Sequence, residues 1–426
     1  MRAWTALRTY LAARRRFRGL RGAALRRYQD ERARAVIDHA VKHSPFYRAH
    51  LGGGGGDWRT LPTIDKSAMM QHFGAFNTRG IGLDEAMEVA LRAERDRDFS
   101  PRIGGVTVGL SSGTSGHRGL FLVDETEQIQ WAATILARAL PNRARVRLAF
   151  FLRSNSNLYQ SLGRWIDFRY FTLTAPIEQS IAALNDFQPD IIAAPPSLLE
   201  MLAASPALKI RPRRLVSVAE VLEPQDEERL RAAFGVPVHQ VYQCTEGLLG
   251  ISCERGALHV QEDIVALQFE RVDAERELWM PVVTDLYRRT QPIIRYRLND
   301  VVTLAPEPCA CGSAFRVIER IEGRSDDACS FVRHDGTLRK LFPDDLRRIV
   351  LRSDPRIDDY QIVQERPGQL TARLRVRGDF PEVADALRRT MAEQLTEHDC
   401  AMPELAIESG LAAIPPGEKR RRVKRV

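Results

Sequence analysis

The chain has 426 residues and a formal net charge of +8, with 44% hydrophobic and 28% charged residues: the composition of an ordinary globular protein, long enough for two or three domains. No apolar run is long enough to span a bilayer, no apolar stretch follows the arginine-rich start as in a secretory signal, and six cysteines are too few for a disulfide scaffold. The cytoplasm is therefore the expected compartment, and because arginine is spread along the whole chain, nucleic acid is not expected as the main partner.

Residues 1–42 read as one or two helices, since Leu7, Leu11, Phe17, Leu20, Leu25, Val36 and Ile37 recur at roughly helical spacing among arginines. A docked amphipathic helix with a solvated basic face accounts for the pattern; adhesion to an anionic membrane surface is the alternative. His43-Ser44-Pro45-Phe46-Tyr47 closes the region, and the glycine run 52–56 reads as a surface loop, with no strand before it to make a nucleotide fingerprint. Beyond Pro62, strand-like runs at 146–152, 191–194 and 215–219 alternate with helical stretches at 124–139, 178–186 and 225–234. Such alternation predicts an α/β protein with helix-covered β-sheets. The texture changes around Gly323-Arg324-Ser325-Asp326-Asp327, after which strands at 359–364 and 370–376, a helix over 380–395 and a basic tail suggest a compact α+β module. The expected organisation is a large N-terminal domain, 1–322, and a small mobile α+β C-terminal domain, 323–426.

Directly after a strand-like Val106-Thr107-Val108-Gly109-Leu110 comes Ser111-Ser112-Gly113-Thr114-Ser115-Gly116. Small residues let backbone approach an anion closely, and hydroxyls with exposed amides donate to phosphate oxygens. By composition alone the segment reads equally as a serine–glycine surface turn. It is not a Walker loop, because no Gly-Lys-Ser/Thr follows. Asp124 then offers a cap for the next helix.

Further along, Val241 leads into Tyr242-Gln243-Cys244-Thr245-Glu246-Gly247. A tyrosine there can stack on adenine, a threonine hydroxyl can reach a phosphate, and a carboxylate can hold Mg²⁺ between phosphates. Thr284-Asp285-Leu286 follows, then Pro292-Ile293-Ile294-Arg295-Tyr296-Arg297-Leu298-Asn299-Asp300, whose terminal carboxylate suits bidentate bonding to ribose hydroxyls. Near the end of the chain stands Gly417-Glu418-Lys419-Arg420-Arg421-Arg422.

In this order and spacing the segments resemble the adenylate-forming superfamily of acyl-CoA synthetases, peptide-synthetase adenylation domains and luciferases. Within it they are most similar to the phenylacetate-CoA ligase branch, including its deazaflavin-adenylylating relatives. The closer match rests on His43-Ser44-Pro45-Phe46-Tyr47-Arg48, Ser111 to Gly116, Ala194-Pro195-Pro196-Ser197, Ala219-Glu220, Tyr242 to Glu246, Pro292 to Asp300, Cys309-Ala310-Cys311-Gly312 and 320–327, spanning nearly the whole chain. The resemblance implies the adenylate-forming enzyme fold, with Ser111, Ser112, Gly113, Thr114, Ser115 and Gly116 holding ATP phosphate and Tyr242 as adenine platform. It further implies Thr245 at the α-phosphate, Glu246 on Mg²⁺, Asp300 and Arg324 on the ribose, and Asp326 as hinge. Lys419 resembles the lysine that the small domain swings in to bridge carboxylate and α-phosphate oxygens, a donor worth ~3–4 kcal/mol in the transition state; taken alone, it reads as a solvated tail residue. The familiar phosphate loop continues Gly-x-Pro-Lys-Gly, whereas this one ends His117-Arg118-Gly119, with Arg118 in place of the lysine charge. Gln243 stands where a glycine is usual.

Cys309 and Cys311 supply two thiolates on one loop, and Cys253 and His259 lie upstream. Three sulfurs and one imidazole make a closed tetrahedral set of the structural zinc kind, and the resembling branch carries the same arrangement. Free buried cysteines are the alternative reading; Cys244, Cys329 and Cys400 read as ordinary thiols.

The expected activity is ATP- and Mg²⁺-dependent conversion of a carboxylic acid to an acyl-adenylate and pyrophosphate, then transfer to a thiol, coenzyme A. Phe151, Tyr159, Trp165 and the run from Ala219 are the candidates for the acyl pocket, and its aromatics hint at an aryl acid. An adenylyltransferase that leaves AMP on its acceptor is the first alternative, and a non-catalytic basic binding protein the second. The expected partners are a small carboxylate, ATP and coenzyme A, and a homodimer is compatible with the sequence.

Overall fold

The computed structural model describes residues 2–52, 56–96, 98, 100–110, 119–139, 146–152, 166–273, 276–411 and 419–426. The chain divides into two compact units, one of Met1–Leu298 with Leu304–Glu319, the other of Asn299–Thr303 with Arg320–Val426.

The large unit opens with two helices rather than one, α1 (Arg2–Gly19) and α2 (Gly22–His43). The break falls at Leu20-Arg21, where Gly22 takes a φ of 52° that a residue with a Cβ rarely adopts. α2 buries Leu25, Gln29, Ala33, Val36, Ile37 and Ala40, one face at helical spacing. A short helix, α3 (Pro45–His50), follows; Ser44 caps it by accepting from the Tyr47 amide at 3.2 Å, with Pro45 in the first turn where its missing N–H costs nothing. The Tyr47 side chain is fully buried and donates to the Pro292 carbonyl at 2.8 Å, which gives the His43–Arg48 motif a structural role.

A three-stranded antiparallel sheet is built from Arg102–Ile103, Val106–Leu110 and Leu120–Val123. A Cβ on Gly109 would lie 2.2 Å from the Phe121 ring, so a larger residue there requires that ring to move. Asp124 then caps the helix Glu125–Ala139 as expected: it accepts from the Glu127 amide at 3.0 Å while Glu127 accepts from the Asp124 amide at 2.8 Å, a reciprocal capping box.

From one edge, the first seven strands of the main sheet run, in spatial order, Ile166–Thr172, Val146–Leu152, Ile191–Ala194, Arg214–Val218, Val238–Cys244, Gly247–Ser252 and Leu258–Val260. The first five strands are parallel, and the helices Ile177–Phe187, Pro196–Ala203 and Pro224–Phe234 make the crossovers between them. Ile191–Ala194 is buried at every position, as a parallel strand covered on both faces must be, and hence reads as a continuous apolar run. The α/β expectation for this part of the chain holds, element by element. Phe151 differs from its expected role: it is wholly buried and stacks on Phe171 at 4.7 Å in the core beneath the helix Ile177–Phe187, so it cannot line an acyl pocket. Tyr159 and Trp165 lie outside the described residues.

The small unit has a four-stranded sheet in the order Glu404–Ser409, Gln369–Val376, Ile357–Arg366, Val423–Arg425. The helices Pro343–Ser353 and Phe380–Glu397 cover it through Leu346, Ile349, Val350, Leu387, Met391 and Leu395. The basic C-terminal stretch is not a free tail. Val423–Arg425 pairs in parallel with Ile362, Val363 and Gln364, and the Arg422 guanidinium is buried on Asp359 at 2.7 Å, 63 residues away.

Candidate active site

Three of the sequence motifs meet at one edge of the main sheet. Ala194-Pro195-Pro196-Ser197 follows the strand Ile191–Ala194, Ala219-Glu220 follows Arg214–Val218, and Thr245-Glu246 follows Val238–Cys244. These are neighbouring parallel strands, in register at Ala194/Ser217 and Val218/Val241, so all three motifs emerge at carboxyl ends. That edge is where open α/β sheets bind ligands. Ala219 is held at a φ of 69°, the left-handed region that a residue with a Cβ enters only when its surroundings impose it. Its neighbour Glu220 accepts from the Ser197 amide at 3.2 Å, tying two of the motifs together.

The Thr245-Glu246 turn is itself organised. The Thr245 hydroxyl donates to Glu246 Oε2 at 2.8 Å. The buried Tyr296 hydroxyl donates to the same carboxylate, and burial together with that neighbouring negative charge raises the phenol well above its ordinary pKa, so it stays a donor. A carboxylate offers about four lone-pair sites, so two donors leave Glu246 free to bind a hard cation, and one protein carboxylate plus phosphates is the usual Mg²⁺ complement. Tyr242 lies on the strand leading into this turn and is 9% exposed.

Behind the turn sits Arg288, the largest fully buried side chain among the described residues. It donates to the Thr245 carbonyl at 2.5 Å, to Gln291 Oε1 at 2.7 Å and to the Leu122 carbonyl at 3.3 Å. Gln291 Oε1 also accepts from the Leu122 amide at 2.9 Å. The strand that leaves the Ser111 to Arg118 segment is thereby fastened to the Thr245-Glu246 turn. Asp285 accepts from the Tyr287 and Arg288 amides at 2.8 and 2.9 Å, and full burial lifts its carboxyl to about 6. Arg288 and Gln291 carry no motif of their own and are signalled only by lying between Thr284-Asp285-Leu286 and Pro292 to Asp300; Tyr296 lies within the latter motif, where no role was read for it. Ser111, Ser112, Gly113, Thr114, Ser115, Gly116 and Arg118 lie outside the described residues.

Within the small unit, Arg324 Nε lies 3.5 Å from Asp300 Oδ1. Asn299 donates to Asp326, and Asp327, next in the turn Ser325–Asp327, is ion-paired with Arg421. Lys419 is half-buried and precedes Arg420, Arg421 and Arg422, of which Arg420 and Arg422 both reach Asp359. The segment that bears Lys419 is therefore anchored on both Asp359 and Asp327.

Cys253, His259, Cys309 and Cys311, all in the large unit, bring their donor atoms within 4.8 Å of one another. Cys253 Sγ and Cys309 Sγ are 3.8 Å apart, and Cys311 Sγ is 3.3 Å from His259 Nε2. Tetrahedral zinc with bonds of about 2.3 Å to sulfur separates its sulfurs by roughly 3.8 Å, so the donor set fits. Burial and the neighbouring thiols push Cys253 up to about 12; a cation between the sulfurs reverses that preference. His259 Nδ1 donates to the Phe315 carbonyl at 2.9 Å, leaving Nε2 as the acceptor, and burial keeps the ring neutral. Phe17 of α1 packs edge-on against the His259 ring at 5.3 Å, and Ser313 donates to the Phe17 carbonyl at 2.9 Å.

No protein-family model matches the chain. Phenylacetate-coenzyme A ligase of Thermus thermophilus is 24% identical over 400 residues, 88% of this chain and 86% of that protein. Fumarate--(S)-2,3-diaminopropanoate ligase of Enterobacter agglomerans is 25% identical over 183 residues, 39% of this chain and 44% of that protein. Among solved structures, 2-hydroxyisobutyryl-CoA ligase in the postadenylation state superposes with a TM-score of 0.72 at 15% identity, covering 97% of this chain and 91% of that one. The sheet and its carboxyl edge have the fold of the adenylate-forming ligases, and over most of its length the chain is similar to members of that superfamily. Within that superfamily it is similar to the phenylacetate-coenzyme A ligase branch.

Proposed function

We propose that the protein joins a carboxylic acid to AMP, with release of pyrophosphate, and then passes the acyl group to the thiol of coenzyme A. The observation that carries this reading is the convergence of Ala194–Ser197, Ala219-Glu220 and Thr245-Glu246 at the carboxyl ends of three adjacent parallel strands. In it, Tyr242 carries the adenine, the Thr245 hydroxyl touches the α-phosphate, Asp300 and Arg324 hold the ribose, and Ser111 to Gly116 with Arg118 hold the remaining phosphates. Mg²⁺, when bound at Glu246, neutralises charge on the phosphates. Tyr296 and Thr245 orient that carboxylate, and Arg288 fixes the backbone of the turn. Lys419 donates to the carboxylate and α-phosphate oxygens where negative charge concentrates. Asp326 is the hinge about which the small C-terminal domain, 323–426, moves relative to 1–322. Zinc at Cys253, His259, Cys309 and Cys311 is structural, because four protein ligands leave no open position.

A second reading keeps the adenylation but gives the acyl group to an amine, as the name of the fumarate--(S)-2,3-diaminopropanoate ligase relative suggests for that protein. Mass-spectrometric product analysis with ATP, Mg²⁺, a panel of aliphatic and aryl acids, and either coenzyme A or free amines tests both. AMP with a thioester supports the first reading, AMP with an amide the second, and no AMP under any combination contradicts both.

A further inference from the structure

The outward face of α1 plays no part in the site. Trp4 is 70% exposed, Leu7 43% and Leu11 57%, and Arg8, Arg15 and Arg18 are exposed beside them. At 3.6 residues per turn these six side chains share an arc of about 100°. The opposite face is occupied: Ala6 and Ala13 are buried, α1 lies against the helix Glu125–Ala139, and Arg16 is paired with Asp263 at 2.9 Å. The stripe is therefore what a firmly docked helix leaves to solvent. Residues 1–29 contain nine arginines and no aspartate or glutamate. Among the described residues, Arg8, Arg15 and Arg18 pair with no carboxylate.

We propose that this face of α1 rests on an anionic lipid surface. An indole and two leucines flanked by guanidiniums is the pattern of a helix that lies in the headgroup layer, its apolar side chains sunk toward the acyl chains and its arginines on lipid phosphates. No helix among the described residues is long and apolar enough to cross a membrane, so contact is peripheral. A second copy of the chain would set the same arginines against each other. A nucleic acid would satisfy the arginines but leave Trp4, Leu7 and Leu11 in water.

The test is flotation of the full chain with vesicles of phosphatidylcholine and phosphatidylglycerol at 7:3, against phosphatidylcholine alone, in low salt. The wild type floats with the anionic vesicles, and 0.5 M salt weakens the binding. Trp4→Ser/Leu7→Ser/Leu11→Ser loses at least ~10-fold in affinity, and Arg8→Glu/Arg15→Glu/Arg18→Glu roughly 100-fold, with melting temperatures unchanged. Should either triple variant fold poorly, brominated lipid in the vesicles quenches wild-type tryptophan fluorescence, and Trp4→Phe removes that quenching while still binding. Wild type that stays with the unbound fraction overturns the proposal, as does binding that survives both triple variants or quenching unaltered by Trp4→Phe. Tighter binding to a DNA or RNA duplex that needs only the arginines, or a dimer lost with the serine variant, assigns the face to those partners instead.

Discussion

The Arg421 guanidinium is ion-paired with the Asp327 carboxylate, 94 residues earlier in the chain. Asp327 follows Asp326, the proposed hinge, and Arg421 lies two residues after Lys419, so this pair ties the lysine segment to the hinge turn within the small unit. Replacing either partner, Asp327→Asn or Arg421→Gln, is expected to slow acyl-adenylate formation about 10-fold through misplacement of Lys419. Thioester formation from supplied acyl-adenylate stays within two- to three-fold of wild type. Single-turnover measurement of the two half-reactions checks this, and equal loss in both contradicts it.

Tyr296→Phe removes one donor from the Glu246 carboxylate and keeps the ring that fills the site. The Mg²⁺ concentration for half-maximal rate is expected to rise about 10-fold, with less than ~1.5 kcal/mol lost in folding stability. Titration of the rate against Mg²⁺, alongside a urea unfolding curve, separates the two effects.

Zinc bound as proposed gives one equivalent per chain by elemental mass spectrometry. Cys311→Ser is expected to lower that content to near zero and to cost at least ~3 kcal/mol of stability. Because Phe17 and Ser313 join α1 to this cluster, amide exchange in residues 10–19 should also quicken. Unchanged metal content in the variant would mean that the four residues are not the ligands.

Glu322 is buried beside Asp344, and that burial together with the shared hydrogen bond lifts its carboxyl from 4.5 to about 7. The folded chain thus holds a proton that the unfolded chain releases, so the associated stability is full below pH 4.5 and is lost as pH rises through about 7. Glu322→Gln keeps a neutral donor there. The change in unfolding free energy between about pH 5 and pH 8 should shrink by roughly 1–3 kcal/mol in the variant. Denaturant curves at the two pH values check the sign; an unchanged difference assigns the pH dependence elsewhere.

How much of this was legible in the sequence depends on the range of the interaction involved. Ile191–Ala194 and Arg214–Val218 were readable as strands because burial on both faces leaves an apolar run. The cap at Asp124 was readable because its partner Glu127 is three residues away. Arg288 was invisible for the opposite reason: its acceptors on Thr245 and Leu122 are 43 and 166 residues distant. The run Arg420-Arg421-Arg422 looked like a solvated tail because Asp359 and Asp327, which hold it, are equally remote. Phe151 misled because an aromatic on a parallel strand serves the core as readily as a pocket. The grouping of Cys253, His259, Cys309 and Cys311 was legible only through the resemblance to a branch that carries the same arrangement, and its link to Phe17 was not legible at all.

The central claim, adenylation with Lys419 as the charge-bridging donor, is tested most directly by ATP–pyrophosphate exchange over a panel of aliphatic and aryl acids, wild type beside Lys419→Ala. The account predicts exchange that depends on one class of acid in the wild type and falls at least ~100-fold in the variant. Absence of exchange with every acid, or exchange undiminished in Lys419→Ala, would contradict it.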